Sequence, residues 1–269
     1  MDSEVRQIQL KCLEILQVVD DICRRNEIEY SLCGGSVVGA HLYKGFLPWD
    51  DDVDLMMTRQ NYNKFLEIAP KELPGHYSVH NYQSNAEFSS LFTKIIDNNT
   101  TLVQSDGQIS GIFLDITVYD RIPHNSLASI DIFLWKVSQV VSIGKIPGRP
   151  FRNLMLNTIL KDNRKYFKFF QKVVESIGKT SSRYSYSELF GAYANTVKYL
   201  PQIFEHYSEI QFEDKEYMIV RDYIDYLVTR YDRTDFREPK EKQVPSHYKY
   251  VNFNLPYKEY IRQKFKNEQ

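Results

Sequence analysis

Between residues 30 and 58 the chain reads YSLCGGSVVGAHLYKGFLPWDDDVDLMMT. Asp52 and Asp54 stand two residues apart in an apolar run. On a strand, residues two apart point the same way, so both carboxylates would face one side, with Val53 and Leu55 on the other. Two carboxylates that close repel each other unless a hard cation lies between them. Mg²⁺, with Mn²⁺ as an alternative, binds carboxylates together with phosphate oxygens. Upstream, Gly34, Gly35 and Ser36 form a turn whose glycines carry no side chain, so backbone N–H groups there can approach a phosphate closely. Turn, carboxylate pair and cation together point to transfer chemistry at a phosphorus atom. The acidic run Asp50-Asp51-Asp52 is flanked by Phe46, Leu47, Pro48 and Trp49 and by Val53, Leu55, Met56 and Met57. Charges set in so much apolar sequence are costly to bury without partners, which favours a site over a solvated turn.

A second acid sits in a similar setting. Residues 111–119 read GIFLDITVY. Ile112, Leu114, Ile116 and Val118 would line one face of a strand, and Phe113, Asp115, Thr117 and Tyr119 the other. Asp115 is therefore either a satisfied structural carboxylate or a third member of the acidic site. Lys94 lies in another apolar stretch and is the best basic candidate to contact a phosphate. Its alternative is an edge lysine that snorkels to solvent. Lys44 is a weaker candidate for the same role.

The segment GGSVVGAHLYKGFLPWDDDVDLMM resembles the signature of the LicD family of nucleotidyltransferase-fold proteins. Bacterial members of that family are phosphocholine transferases, and it includes the fukutin-related proteins. The resemblance continues at Phe92, Lys94 and Asn98-Asn99-Thr100, and then through GIFLDITVYD. A weaker match covers YLVTRYD at residues 226–232 and the neighbourhood of His247. Many members carry a basic residue where this chain has Leu42, and their tail often reads Tyr-Gly-Asp where this one reads Tyr231-Asp232-Arg233. The resemblance implies that Asp115 joins Asp52 and Asp54 as catalytic and metal-holding carboxylates. It implies CDP-choline as donor, a lipid-linked glycan acceptor such as a teichoic-acid or lipopolysaccharide precursor, and CMP as the leaving nucleotide. Two other readings use the same parts. A nucleotidyltransferase would attack a nucleoside triphosphate and release pyrophosphate, and a non-catalytic member would serve as a binding subunit of glycan assembly.

The elements needed to hold these residues are legible as patterns. Val5, Ile8, Cys12, Ile15, Val19 and Ile22 recur at three- and four-residue steps, which predicts an amphipathic helix. A strand near residues 30–33 should lead into the Gly-Gly-Ser turn. A short helix over residues 36–43 would then start there, its positive end favouring an anion. Residues 53–57 read as a strand. Thr58 should cap a helix that runs to about Ala69 and ends at Pro70. Residues 77–82, 91–96 and 111–119 read as further strands. Helical patterns follow at residues 126–143, 154–177 and 222–231, and residues 237–254 read as loop. Strands first and helices later predict an α+β fold. Its nucleotidyltransferase-like mixed-sheet core would span residues 1–125 with flanking helices, and a mainly helical part, residues 126–269, would pack on that core.

Composition narrows the partners. The 269 residues are 42% hydrophobic and 14% aromatic, enough for a sizeable core. A net charge of −1 argues against a nucleic-acid partner. The charge is uneven: residues 144–172 hold eight Lys or Arg and one acid, Asp162, interleaved with aromatic residues. That mixture can mean nucleic acid, an anionic membrane surface or an ordinary amphipathic helix, the last being the commonest. Cys12, Cys23 and Cys33 show no metal-type spacing, and their sparse, odd number suits a reducing compartment. The polar start MDSEVRQIQLKC is unlike a signal peptide. These features predict a cytoplasmic protein, peripheral to the membrane if the basic stretch meets lipid.

Overall fold

The structure, a computed structural model, describes residues 3–84, 93–105, 107–123, 163–180, 183–188, 197–238 and 248–267. Helix α1, Glu4–Arg25, begins where Ser3 accepts a hydrogen bond from Arg6 N at 3.2 Å. Its predicted stripe is buried at Ile8, Cys12, Ile15, Val19 and Ile22. Each such side chain contributes roughly 1.5–3 kcal/mol when removed from water. Strand β1, Ser31–Leu32, then runs directly into helix α2, Gly34–Tyr43. The Gly-Gly-Ser segment is thus the first turn of α2 itself. Strand β2 is Asp54–Thr58, and helix α3, Arg59–Glu72, follows Thr58 without a side-chain cap bond and carries Pro70 inside its last turn.

Strands β3 (Tyr77–His80), β4 (Thr93–Asp97), β5 (Thr101–Gln104), β6 (Ile109–Ser110) and β7 (Phe113–Pro123) complete the N-terminal half. Beyond them come helix α4 (Asn163–Thr180), strand β8 (Tyr184–Ser187), strands β9 (Tyr207–Phe212) and β10 (Lys215–Val220), helix α5 (Tyr223–Tyr231), strand β11 (Tyr248–Asn252) and helix α6 (Tyr257–Asn267). The main sheet is ordered β1-β2-β7-β4-β3, with β8 also paired to β7. Among the described residues β2 and β7 run parallel in it, and the other pairs are antiparallel. Helix α1 packs on β7 and β4, and α3 on β2 and β7. The fold is α+β with a mixed sheet and flanking helices, as the pattern of elements predicted.

Residues 237–254 are not all loop. Tyr248–Asn252 form β11, which pairs antiparallel with β5. The segment YKYVN has no clean alternation, and its partner strand is far away in sequence, so only tertiary pairing makes it a strand. Strands β8, β9 and β10 likewise lie in the part read as mainly helical; β8 adds to the main sheet, and β9 and β10 form a hairpin. The predicted helix at 126–143, the first part of the one at 154–177, Phe92 and His247 lie outside the described residues. So does most of the basic stretch. Among the described residues no helix is long and apolar enough to cross a membrane.

Candidate active site

The central feature is a register. In the parallel pair of β2 and β7, Asp54 lies opposite Asp115. In the antiparallel pair of β7 and β4, Asp115 lies opposite Lys94, and beyond it Lys94 lies opposite His80 of β3. Directly paired residues share a face of the sheet. Asp54, Asp115, Lys94 and His80 therefore form one polar row across four strands. Lys94 Nζ donates to Asp115 Oδ2 at 3.0 Å and also stands 3.0 Å from Oδ1. The second contact is one of charge only, because Oδ1 is buried and accepts no hydrogen bond. Lys94 is 8% exposed and its ammonium lies 3.2 Å from the centroid of the Phe113 ring. Its strand is interior, between β7 and β3, so the snorkelling alternative does not hold.

The acidic run joins this row from the side. Burial pushes the Asp54 carboxyl well above the ordinary carboxylate range; Asp52, Asp115 and Asp50 add to the push, and Arg230 opposes it. Cys12, beneath the run, is raised by burial first and then by Asp52, Asp51, Asp50 and Asp115. The acids thus gather above α1. Gln9 holds the run in place: its Nε2 donates to Leu47 O at 3.1 Å and to Asp50 O at 2.8 Å. Nothing in the sequence marks Gln9 except its position as a polar residue beside the apolar stripe of α1.

Helix α2 aims its N-terminus at the same place. Gly34 has φ +53°, a left-handed conformation that suits glycine. A Cβ on Gly34 would stand 3.6 Å from Arg230 Nη2 and 3.7 Å from Asp54 Oδ2. A Cβ on Gly35 would lie 2.9 Å from Asp50 Oδ2. Ser36 is turned inward, and its Oγ accepts from Asp54 N at 2.9 Å, so it fixes the backbone that carries the carboxylate. Lys44 is at the other end of α2, about 15 Å away along a helix of this length. There it is exposed and adopts the left-handed cap conformation. The structure therefore brings Gly34, Gly35, Ser36, Asp52, Asp54, Asp115 and Lys94 together, and it leaves Lys44 outside.

Two residues that sequence reasoning left without a role come from α5. Tyr226 OH accepts from Gly34 N at 3.1 Å and lies 3.2 Å from Cys33 Sγ and 3.3 Å from Tyr119 OH. One turn on, Arg230 donates to Tyr119 OH at 3.2 Å and pairs with the buried Glu188 at 3.4 Å. Their four-residue spacing puts both on one face of α5, toward the first turn of α2.

Carboxylates alone suit a hard cation such as Mg²⁺ or Mn²⁺, and Asp115 Oδ1 is a buried acceptor with no hydrogen bond, so these residues fit such an ion. Among the described residues no three His, Cys, Asp or Glu side chains are already drawn into a metal-holding group.

Residues 27–137 match a family model described as LicD/FKTN/FKRP, nucleotidyltransferase domain. That stretch is therefore similar to a LicD-type nucleotidyltransferase domain. The match takes in α2, β2, β4 and β7, the elements that hold the acidic row. Similarity to one relative extends further. The chain is 28% identical over 254 residues to the lipopolysaccharide cholinephosphotransferase LicD of Haemophilus influenzae, covering 90% of this chain and 96% of that protein. It is also 28% identical over 76 residues to an uncharacterized protein of Rickettsia typhi, covering 26% of this chain and 25% of that one.

The two departures from the LicD pattern fall at the margins. Leu42 is in the last turn of α2, away from the carboxylates. Asp232, where many members have glycine, is the C-cap of α5 with φ 51° and donates its N–H to Val228 O at 2.9 Å. The difference there is one of helix capping, since an aspartate tolerates the left-handed conformation that glycine adopts freely.

Proposed function

We propose that this protein is a phosphotransferase that moves phosphocholine from CDP-choline to a hydroxyl of a cell-surface glycan precursor, lipopolysaccharide or teichoic acid, and releases CMP. The observation that carries this reading is the register of Asp54 against Asp115 beside the first turn of α2. The similarity to LicD over most of both chains supports the substrate class.

In this reading the acceptor oxygen forms a bond to the phosphorus that bears choline. The bond from that phosphorus to the bridging oxygen breaks, and its electrons leave with CMP. The hydroxyl proton passes to a carboxylate of the Asp52, Asp54 and Asp115 group. Mg²⁺ or Mn²⁺, held by those same carboxylates, would supply positive charge against the donor diphosphate. The first turn of α2 presents the positive end of the helix dipole to the phosphates. Gly35 keeps that approach open, Ser36 fixes Asp54, and Lys94 contributes a cation. Tyr226 holds the turn through the Gly34 N–H, and Arg230 sets a positive charge near Asp54, so little reorganisation is needed at reaction.

The test is incubation of the purified protein with a panel of CDP-alcohols and nucleoside triphosphates plus Mg²⁺, followed by chromatography of the nucleotides. CMP formed from CDP-choline is expected, and pyrophosphate from a triphosphate would overturn the reading. A lipid-linked acceptor also requires that a cytoplasmic enzyme meet the membrane surface, and the basic residues of 144–172 are the proposed contact. Each Lys or Arg near an anionic leaflet contributes about 1 kcal/mol. Sedimentation with anionic vesicles should fall as salt rises. It should fall also when Lys161, Arg164, Lys165 and Lys168 are changed to Gln, and equal sedimentation of both proteins would discard the contact.

A further inference from the structure

Lys94 raises a question that the proposed chemistry leaves open. A lysine assigned to the donor phosphate would be expected to point at free space beside the carboxylates. Here its ammonium touches both oxygens of Asp115, each at 3.0 Å. Asp115 is one of the carboxylates a cation would use, and its Oδ1 accepts no hydrogen bond. An ammonium and a divalent cation want the same oxygens. Both at full contact would crowd three positive charges onto one carboxylate.

We propose that Lys94 competes with the divalent cation for Asp115 and is handed over to the donor phosphate when the cation binds. The inference rests on the reading of Asp52, Asp54 and Asp115 as a cation site. The charges balance at each stage. With Lys94 on Asp115, the ammonium neutralises that carboxylate. With the cation on Asp115, the ammonium is released within reach of the same site, where the donor diphosphate brings the anionic partner. The side chain is built for such a move. A lysine has a flexible four-carbon stem and a compact charge with three donors, so it can change partners without a fixed fork geometry. The Phe113 ring, 3.2 Å from Nζ, gives the ammonium an aromatic face beside Asp115. The backbone of β4 stays fixed by its pairing with β7 and β3, so only the side chain has to swing. One consequence is an order of events: cation first, then donor, because the cation frees the group that receives the donor.

The competition has opposite signs for two ligands, which a purely structural lysine would not produce. Binding of Mn²⁺ alone, followed by the free-ion electron paramagnetic resonance signal, is measured for the parent, Lys94→Gln and Lys94→Arg. Lys94→Gln should bind Mn²⁺ more tightly by roughly tenfold, the scale of one hydrogen bond between charged groups. Lys94→Arg, which keeps the charge, should stay nearer the parent. The double variant Lys94→Gln with Asp115→Asn should lose the gain, because the gain runs through Asp115. With Mn²⁺ saturating, Lys94→Gln should bind CDP-choline more weakly. Equal or weaker Mn²⁺ binding by a folded Lys94→Gln protein, shown by an unchanged circular dichroism spectrum, would overturn the proposal, as would no Mn²⁺ binding by either protein. Tighter Mn²⁺ binding in a protein that forms no CMP would leave this competition standing and remove the reading as a phosphocholine transferase. The reverse pair of results would remove the competition alone.

Discussion

At the scale of single residues, the role proposed for Asp54 runs against stability. Burial and three neighbouring acids raise its pKa, so the folded state prefers the protonated form. The sign follows from linkage: an acid with a raised folded pKa stabilises the fold at low pH and loses that contribution as the pH rises through the raised value. Ionisation of Asp54 therefore costs the fold stability, a cost that an amide in its place does not carry. Asp54→Asn should lower turnover by about 10²-fold or more, the scale of losing a preorganised electrostatic group. Without added cation its melting temperature at pH 7 should equal or exceed the parent's. Near-parental turnover in the folded variant would remove Asp54 from the reaction. Gly35 makes a different point. Its absent Cβ would meet Asp50 Oδ2, the end of a side chain, at 2.9 Å. Gly35→Val should therefore displace Asp50, leave the fold largely intact and weaken donor binding. Unchanged CDP-choline affinity in that variant would make the glycine structural.

At the scale of elements, the site depends on how α2 is seated. No side chain of its own caps its N-terminus; Cys33 is the N-cap and makes no such bond. The partner comes instead from α5, through Tyr226 OH on Gly34 N at 3.1 Å. Tyr226→Phe leaves that N–H buried without its acceptor, which costs about 1–3 kcal/mol. Urea unfolding should show the loss, and turnover should fall with it, because the displaced turn carries Gly34 beside Asp54. A variant as stable and as active as the parent would mean that the turn is held by other contacts. The same seat explains why the family resemblance reappears near residues 226–232, far from the main signature. Those residues are the back wall of the first turn of α2.

At the scale of the whole molecule, distant segments are clamped around the site by ion pairs. Arg6 on α1 donates to both carboxylate oxygens of Glu213, at 3.0 and 2.7 Å. Glu213 lies in the turn of the β9–β10 hairpin and also accepts from Phe46 N at 3.2 Å, in the loop that leads to the acidic run. The bond from Arg6 holds its pKa below the ordinary value of 4.5. A depressed folded pKa gives stability that is present above the unfolded value and lost as the pH falls through the folded one. The parent should thus lose more stability than Arg6→Met between pH 7 and pH 3.5. Denaturant midpoints at the two values check this, and parallel losses in both proteins would show that the clamp carries no pH-dependent stability. The direction is opposite to that of Asp54, so the two groups are separable in one titration.

How much of this was legible in the sequence differs by the range of the interaction. Local patterns determined α1, β2, α3, β7 and α5, because each hydrophobic period lies within a single element. The acids Asp52, Asp54 and Asp115 in apolar surroundings, with the glycines ahead of them, also marked the candidate site, although β2 begins only at Asp54 and leaves Asp52 in the loop before it. Short and late strands were not legible: β8 and β11 exist through pairing with partners that no local window contains, and the β9–β10 hairpin lies in a part that the helical patterns around it marked as helical. The row from Asp54 to Asp115, Lys94 and His80 needed the sheet register. That register sets parallel β2 against β7 and antiparallel β4 and β3 beyond it. Gln9, Tyr226 and Arg230 act on the site from α1 and α5, and their roles follow only from the packing of those helices. The sequence by itself determined which chemical groups are available to the candidate site, because residue type and local period are written in the chain. Tertiary structure alone decided which groups touch, putting Lys94 on Asp115 and Lys44 at the far end of α2, because those contacts depend on the pairing and packing of segments remote in sequence.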